Sequence, residues 1–269
     1  MPIRMIAVDL DGTLLGGTEG RYGFLPEGTA ALRKAASSQA RIAIVSGRDF
    51  EFIEGLLARE GVFVSESGWP HIVIAEERFL YRLRGGRYEP DREWNEAIGQ
   101  LERMHFERIR SGVEALLAGD VGSLDGGARR QEEALERRRG FVEVSFTDPR
   151  RAQAAVPLFE AWLDGLRLPY SIVRNVADVC VRHRSVGKGV MLDKVCREWG
   201  IAPSEVLAVG DSANDLSMLD GRFGFIGACP GNAEASVKDA VGRGGGYIAE
   251  GRYGQGVADA VNRYMNGGL

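Results

Sequence analysis

Two acidic clusters carry the strongest chemical signal in this chain. Asp9 and Asp11, in Asp9-Leu10-Asp11-Gly12-Thr13, follow the nearly continuous apolar run 3–8. Asp211 and Asp215, in Gly210-Asp211-Ser212-Ala213-Asn214-Asp215, follow the apolar run Val206–Val209. Carboxylates this close repel, so one must hold a proton or a cation must lie between them. A capped turn, or a helix N-cap with acids favoured by the helix dipole, would account for either cluster alone. Two clusters at matching places, each where an apolar strand ends, are harder to explain that way. Neither is an EF-hand loop: counted from Asp9, the turn-glycine and bidentate-acid positions hold Leu14 and Gly20, and counted from Asp211 they hold Leu216 and Arg222.

Two weaker signals join them. Ser46-Gly47-Arg48 follows a third apolar run, 42–45, and offers a hydroxyl and a flexible backbone where a phosphate oxygen is favourably bound. An ordinary turn would look the same. Lys188, in Gly187-Lys188-Gly189, opens a helical pattern, where its charge opposes the helix dipole unless an anion compensates; a solvated lysine is the alternative.

The elements that must position these residues alternate. Helical spacing over 26–38 and 50–59 separates short apolar runs at 3–8, 41–45 and 62–64, which predicts βαβ units and a doubly wound parallel α/β sheet. Open sheets of that kind bind ligands beyond the carboxyl ends of their strands. The rhythm breaks near Tyr81, with 83–87 read as a hinge, and returns near 185–187. Between them lies an α+β pattern: a half-buried strand over 141–147, a helix over 149–166, and paired strands at 170–174 and 178–183. Residues 129–139 read as a charged helix, and 118–127 are glycine-rich without an assigned element. Afterwards come a helix at 188–199, the strand 206–209, a helix after Asn214, a strand near 223–226, and helices near Ala233 and Val257. The expected organisation is a discontinuous core, 1–84 and 185–269, with an inserted α+β domain, 85–184.

Composition narrows the function. The 269 residues suffice for two domains, and 34 basic against 38 acidic side chains, a net charge of −4, offer no nucleic-acid surface. No apolar run is long enough to span a bilayer, and Asp9 arrives too early for a signal peptide, so the expectation is a cytoplasmic protein with no membrane partner. Cys180, Cys196 and Cys229 contain no CxxC pair and read as free thiols. His71, His105 and His183 are widely spaced and lack an HExxH pattern, which disfavours zinc chemistry and leaves oxygen ligands for any metal.

Taken in order, Asp9-x-Asp11-Gly12-Thr13, Ser46-Gly47-Arg48, Lys188 and Gly210-Asp211-x-x-Asn214-Asp215 resemble the four motifs of the haloacid dehalogenase superfamily of phosphohydrolases. The insertion between the second and third resembles the type IIB cap of Cof-like, sucrose-phosphate and mannosyl-3-phosphoglycerate phosphatases. The resemblance implies that Asp9 is a nucleophile that becomes an aspartyl phosphate. Asp11 would protonate the leaving oxygen and then activate water. Mg²⁺ would be held by the Asp9 carboxylate, the Asp11 backbone carbonyl and Asp211, with Asp215 as a ligand or behind one. Ser46, Gly47, Lys188 and Asn214 would bind the phosphoryl oxygens. Ser65-Glu66-Ser67-Gly68-Trp69 departs from the family, with Ser67 where relatives commonly have Asn. Arg182, His183 and Arg184 are candidates for a second anionic group of the substrate, with a solvated basic run as the alternative.

The expected activity is hydrolysis of a small phosphorylated sugar or related metabolite. A phosphomutase of the phosphomannomutase kind would use the same aspartates and return the phosphoryl group to the sugar. A non-catalytic sugar-phosphate sensor would bind without turnover, although both acidic pairs and Lys188 are intact. The substrate and the oligomeric state are not legible in the sequence.

Overall fold

Met-Ile-Ala-Val at Met5–Val8 is buried at every position, as a strand covered on both faces must be, and forms β1. In the computed structural model, which describes residues 2–17, 22–62, 64–119, 121, 129–130 and 142–265, the chain divides into two compact units, Met1–Arg92 with Lys188–Leu269 and Glu93–Gly187.

In the first unit, β1 leads through a small antiparallel pair, β2 (Leu15–Gly16) and β3 (Gly23–Phe24), into α1 (Pro26–Ser37). Next come β4 (Arg41–Val45), α2 (Phe50–Arg59), the short α3 (Val64–Ser67), β5 (Ile72–Ala75), β6 (Phe79–Arg84) and β7 (Arg87–Pro90). Pro26 stands in the first turn of α1, where its missing N–H costs nothing. Asp49 caps α2, its side chain accepting from the Phe52 backbone at 2.8 Å. The chain re-enters this unit at α6 (Lys188–Trp199) and continues through β12 (Val206–Val209), α7 (Leu216–Leu219), β13 (Ile226–Cys229), α8 (Ala235–Arg243), β14 (Tyr247–Ile248) and α9 (Gly254–Met265).

The sheet order is β14-β13-β12-β1-β4-β5-β6-β7. Strands β14 to β5 run parallel, and β6 and β7 add an antiparallel edge. The chain reverses direction across the sheet between β1 and β12, whose last residues Val8 and Val209 are register partners. Whatever follows those two valines is therefore held side by side. Ile6, Val8, Ile42, Ile44, Leu207 and Val209 join Leu32, Leu57 and Val257 in one apolar core.

The second unit is built on α4 (Arg92–Ala118), β8 (Arg129–Arg130), β9 (Val142–Ser145), α5 (Pro149–Leu166), β10 (Tyr170–Asn175) and β11 (Asp178–His183). Its antiparallel sheet runs β10-β11-β9-β8. Val142, Val144, Val179 and Val181 pack against Phe106, Ile109 and Val113 of α4 and Ala152, Ala155, Phe159 and Leu163 of α5, both at helical spacing. The Asp148 side chain caps α5, accepting from the backbones of Arg150 and Arg151.

Four expectations change. Val64–Ser67 is a helical turn, and the strand beside β4 is Ile72–Ala75 rather than 62–64. The segment 83–87 is not a hinge: Gly85 and Gly86, at φ 55° and 78°, form the two-residue turn between β6 and β7. Arg129–Arg130 is a strand, and the remainder of the helix expected over 129–139, like most of 118–127, lies outside the described residues. The strand expected near 223–226 starts at Ile226. Among the described residues, no helix is long and apolar enough to cross a membrane.

Candidate active site

Asp9 is the first residue beyond β1 and is buried, its N–H donating to Val209 O at 3.0 Å. Asp211 is the second residue beyond the neighbouring β12. A carboxylate oxygen from each of Asp9, Asp211 and Asp215 can be chosen so that all three lie within 4.8 Å of one another. The buried Lys188 ammonium, at the first position of α6, donates to Asp9 Oδ1 and Asp215 Oδ1, both at 2.6 Å. The lysine that opposes the dipole of its own helix thus finds two anions rather than solvent.

The remaining oxygens are unequally committed. Asp215 Oδ2 accepts the backbone N–H groups of Asp211 and Ser212 at 2.9 and 3.0 Å, so both of its oxygens are used in holding the loop and the lysine. Asp211 Oδ1 accepts from Thr13 Oγ1 at 2.7 Å. That leaves Asp9 Oδ2 and Asp211 Oδ2 without a hydrogen-bond donor among the described residues. Three carboxylates against one ammonium leave an excess of negative charge in a buried place. The electrostatics follow from it. Burial first, then the Asp215 and Asp211 charges, push the Asp9 carboxyl well above the usual range against the opposing pull of Lys188. Burial, followed by Asp215, pushes Asp211 up to about 7. Burial alone would lower Lys188, but Asp215, Asp9 and Glu77 outweigh it and hold the ammonium charged. An all-oxygen donor set with surplus negative charge suits a hard divalent cation such as Mg²⁺.

Two glycines permit this closeness. A Cβ on Gly12, itself at φ 79°, would stand 2.4 Å from Asp211 Oδ2, and one on Gly210 would stand 2.4 Å from the Asp215 carboxyl carbon.

Asp11 lies on a different partner set. Arg48 Nε and Nη2 donate to its two oxygens at 2.8 and 3.0 Å, and Tyr22 OH donates to Oδ1 at 3.1 Å. Burial raises this carboxyl, but the hydrogen bond and charge of Arg48, helped by Tyr22, prevail and hold it below the usual carboxylate range. Ser46, buried after β4, accepts the Arg48 N–H at 3.1 Å and keeps its own hydroxyl proton to donate. Gly47 lies beside Glu77, where a Cβ would make only ordinary contact, 3.5 Å from Glu77 Oε1. Asn214 spends both ends of its amide locally, donating to Glu77 Oε1 at 2.8 Å and accepting from Ser212 Oγ.

Glu77 and Tyr22 were missed in the sequence. Glu77 follows β5 in the left-handed backbone region, φ 59°, and its N–H donates to Ser46 O at 2.9 Å. Placing a strand at 72–75 would have exposed it, because Glu76 and Glu77 then stand at a strand's carboxyl end. Tyr22 has no such signal: it immediately precedes β3, well outside any motif spacing. Ser67 is absorbed by its own turn, donating to Trp69 O at 2.9 Å and accepting from Trp69 N at 3.4 Å. In the second unit, Arg184 Nε donates to Tyr170 O at 2.7 Å and the His183 ring packs edge-on against Tyr170, while Arg182 is buried with Nη2 3.7 Å from Cys180 Sγ.

Comparison with known proteins agrees with the geometry. A family model for haloacid dehalogenase-like hydrolases matches residues 3–220. The chain is 26% identical over 274 aligned positions to a phosphoglycolate phosphatase of Pyrobaculum aerophilum, covering 100% of this chain and 98% of that protein. It is 29% identical over 269 positions to a phosphoglycolate phosphatase of Methanothrix thermoacetophila, covering 99% of each. The fold matches the sucrose-phosphatase of Synechocystis sp. PCC6803, solved with sucrose and phosphate, with a TM-score of 0.72, 16% identity and 98% coverage of both chains.

Proposed function

The chain belongs to the haloacid dehalogenase-like hydrolases, and from that premise we propose that it is a Mg²⁺-dependent phosphatase of a small phosphorylated metabolite, working through an aspartyl phosphate on Asp9. One observation carries the reading. Lys188 joins Asp9 to Asp215 at 2.6 Å each, with Asp211 beside them, at the ends of adjacent strands.

Each residue then has a task. Lys188 holds Asp9 through Oδ1, which leaves Oδ2 to attack phosphorus while the bond to the leaving oxygen breaks. Lys188 and the Ser46 hydroxyl neutralise and orient the phosphoryl oxygens. Asp11 gives a proton to the leaving oxygen, then takes one from the water that attacks the phosphorus, returning Asp9 as a free carboxylate. In the arrangement described, Asp11 is an acceptor from Arg48 and Tyr22, so donating a proton requires both to release it. Mg²⁺, when bound, would offset the charge between the phosphoryl group and the carboxylates. Asp9, Asp211 and the Asp11 backbone carbonyl would hold it, and Asp215 would set Lys188 and the loop rather than ligate. Asn214 acts through Glu77 as a positioning residue.

The names carried by the full-length relatives make phosphoglycolate the first substrate to test. Sugar phosphates come second, supported by the resemblance in the motifs. Phosphate release from phosphoglycolate, sucrose 6-phosphate and mannosyl-3-phosphoglycerate, with and without Mg²⁺, tests the reading. Metal-dependent release from at least one is expected. Release from none of a broad panel, or an isomerised phosphosugar in place of free phosphate, would overturn it.

A further inference from the structure

At the opposite end of the same sheet from Asp9, the first unit holds a cavity of about 880 Å³. That lies within the usual range of ligand sites, about 300–1,000 Å³. It opens beyond the amino ends of the parallel strands. Arg4 immediately precedes β1, Arg41 is the first residue of β4, and His71 immediately precedes β5. Arg82 and Arg84 enter from β6, and Trp199 from the end of α6. Four arginines line one cavity, and among the described residues no acidic side chain lines it.

The four arginines fall into two kinds. Arg4 is fixed by Glu205 at 3.1 Å and by Gly200 O at 3.0 Å, and Arg82 by Asp91 at 3.0 Å and by Glu198. Arg84 is paired loosely, with Glu89 at 3.8 Å. Arg41 has no carboxylate within ion-pair distance among the described residues; its guanidinium lies 5.7 Å from the centre of the Trp199 ring. Arg4 and Arg82 are therefore held closely to the walls, while Arg41 and the loosely paired Arg84 can turn to a ligand. His71 adds a neutral donor: Nδ1 accepts the Ile42 N–H at 2.9 Å, so the ring proton sits on Nε2. Burial, and next the Arg41 charge, push this imidazole down to about 4, so it stays uncharged in ordinary buffers.

We propose that this cavity is a second anion site, distinct from the catalytic carboxylates, that takes an oligophosphate chain, either free or carried by a nucleotide. Arginine forks match phosphate oxygens in pairs, one cation cannot neutralise such a chain, and the Trp199 ring offers a flat face beside the charges. The inference does not depend on the identity of the catalytic substrate.

The test is a tryptophan-emission titration of the full chain with inorganic triphosphate and with ATP, in metal-free buffer. Of the four tryptophans, only Trp199 lines the cavity. A saturable change is expected in the wild type, weakened by about tenfold or more in Arg41→Glu and Arg84→Glu, abolished in Trp199→Phe, and unchanged in Ser46→Ala. Arg41→Glu should keep wild-type phosphatase turnover, which also reports that it folds. ATP binding about tenfold more tightly than triphosphate would assign the site to nucleotides, and equal affinities would assign it to the free chain; both support the proposal. It is overturned if neither ligand binds, if binding ignores the charge reversals or is lost in Ser46→Ala, or if the reversals instead dissociate a dimer of the chain.

Discussion

Lys188 Nζ stands 2.6 Å from Asp9 Oδ1, an ion pair between two buried side chains 179 positions apart in sequence. The lysine enters the site at the start of α6 and the aspartate at the end of β1, so their meeting ties the two chain segments of the first unit together.

Replacing Lys188 by Met should remove that tie and leave Asp9 and Asp215 as buried carboxyls with no cation. Breaking a buried pair costs about 3 kcal/mol or more, and turnover should fall by about a hundredfold or more with loss of the charge that faces the phosphoryl oxygens. Thermal melts and steady-state kinetics check both. A variant with wild-type melting temperature and kcat would show that the lysine is not engaged as described.

Gly12→Ala tests the closeness of the two acidic loops. The new Cβ would meet Asp211 Oδ2 at 2.4 Å on a backbone already at φ 79°, so the Asp211 carboxylate must move. The Mg²⁺ concentration for half-maximal activity should rise by about tenfold or more, with a smaller effect on global stability. An unchanged metal titration would mean that Asp211 is not a ligand.

The charge on Asp211 makes stability depend on pH. With its pKa raised to about 7, the metal-free folded state keeps a proton that the unfolded chain loses above about pH 4. The folded state then binds more protons than the unfolded one between these values, so this residue's contribution falls as pH rises from about 4 to about 7 and is level above. The melting temperature of the wild type relative to Asp211→Asn should decline across that window. Added Mg²⁺ should stabilise the wild type more at pH 8 than at pH 5. A relative melting temperature that rises with pH would contradict the assignment.

Asp11→Asn should depend on the leaving group. An alkyl phosphate needs a proton on its leaving oxygen, and its turnover should drop by about 10²–10⁴. p-Nitrophenyl phosphate needs none, so the first step should survive and the second stall, giving a burst of about one nitrophenolate per enzyme. Stopped-flow absorbance reads this. Equal losses on both substrates without a burst would remove Asp11 from its acid and base roles.

The legible parts of this protein are those where one segment of chain supplies its own signal. The helices at 50–59, 149–166 and 188–199 follow from spacing, and Asp9, Ser46, Lys188 and Asp211 all stand at the edge of an apolar run or helix. What escaped depends on pairing with distant segments. Residues 62–64 and 72–75 are both short apolar runs, and periodicity cannot tell which one completes the sheet beside β4. With β5 unseen, the β6–β7 edge and Glu77 beyond it were unseen too. The Arg48–Asp11 clamp and the basic cavity are contacts between side chains from separate elements, which spacing along one element does not report.

Asp9 is predicted to carry the phosphoryl group during turnover. Asp11→Asn enzyme should be mixed with p-nitrophenyl phosphate and Mg²⁺, quenched in acid and digested for peptide mass analysis. The peptide containing Asp9 is predicted to gain the mass of one phosphoryl group, and the Asp9→Asn/Asp11→Asn double variant should show no gain on any peptide. An unmodified Asp9 peptide during the nitrophenolate burst, or a phosphoryl group on another residue, would contradict it.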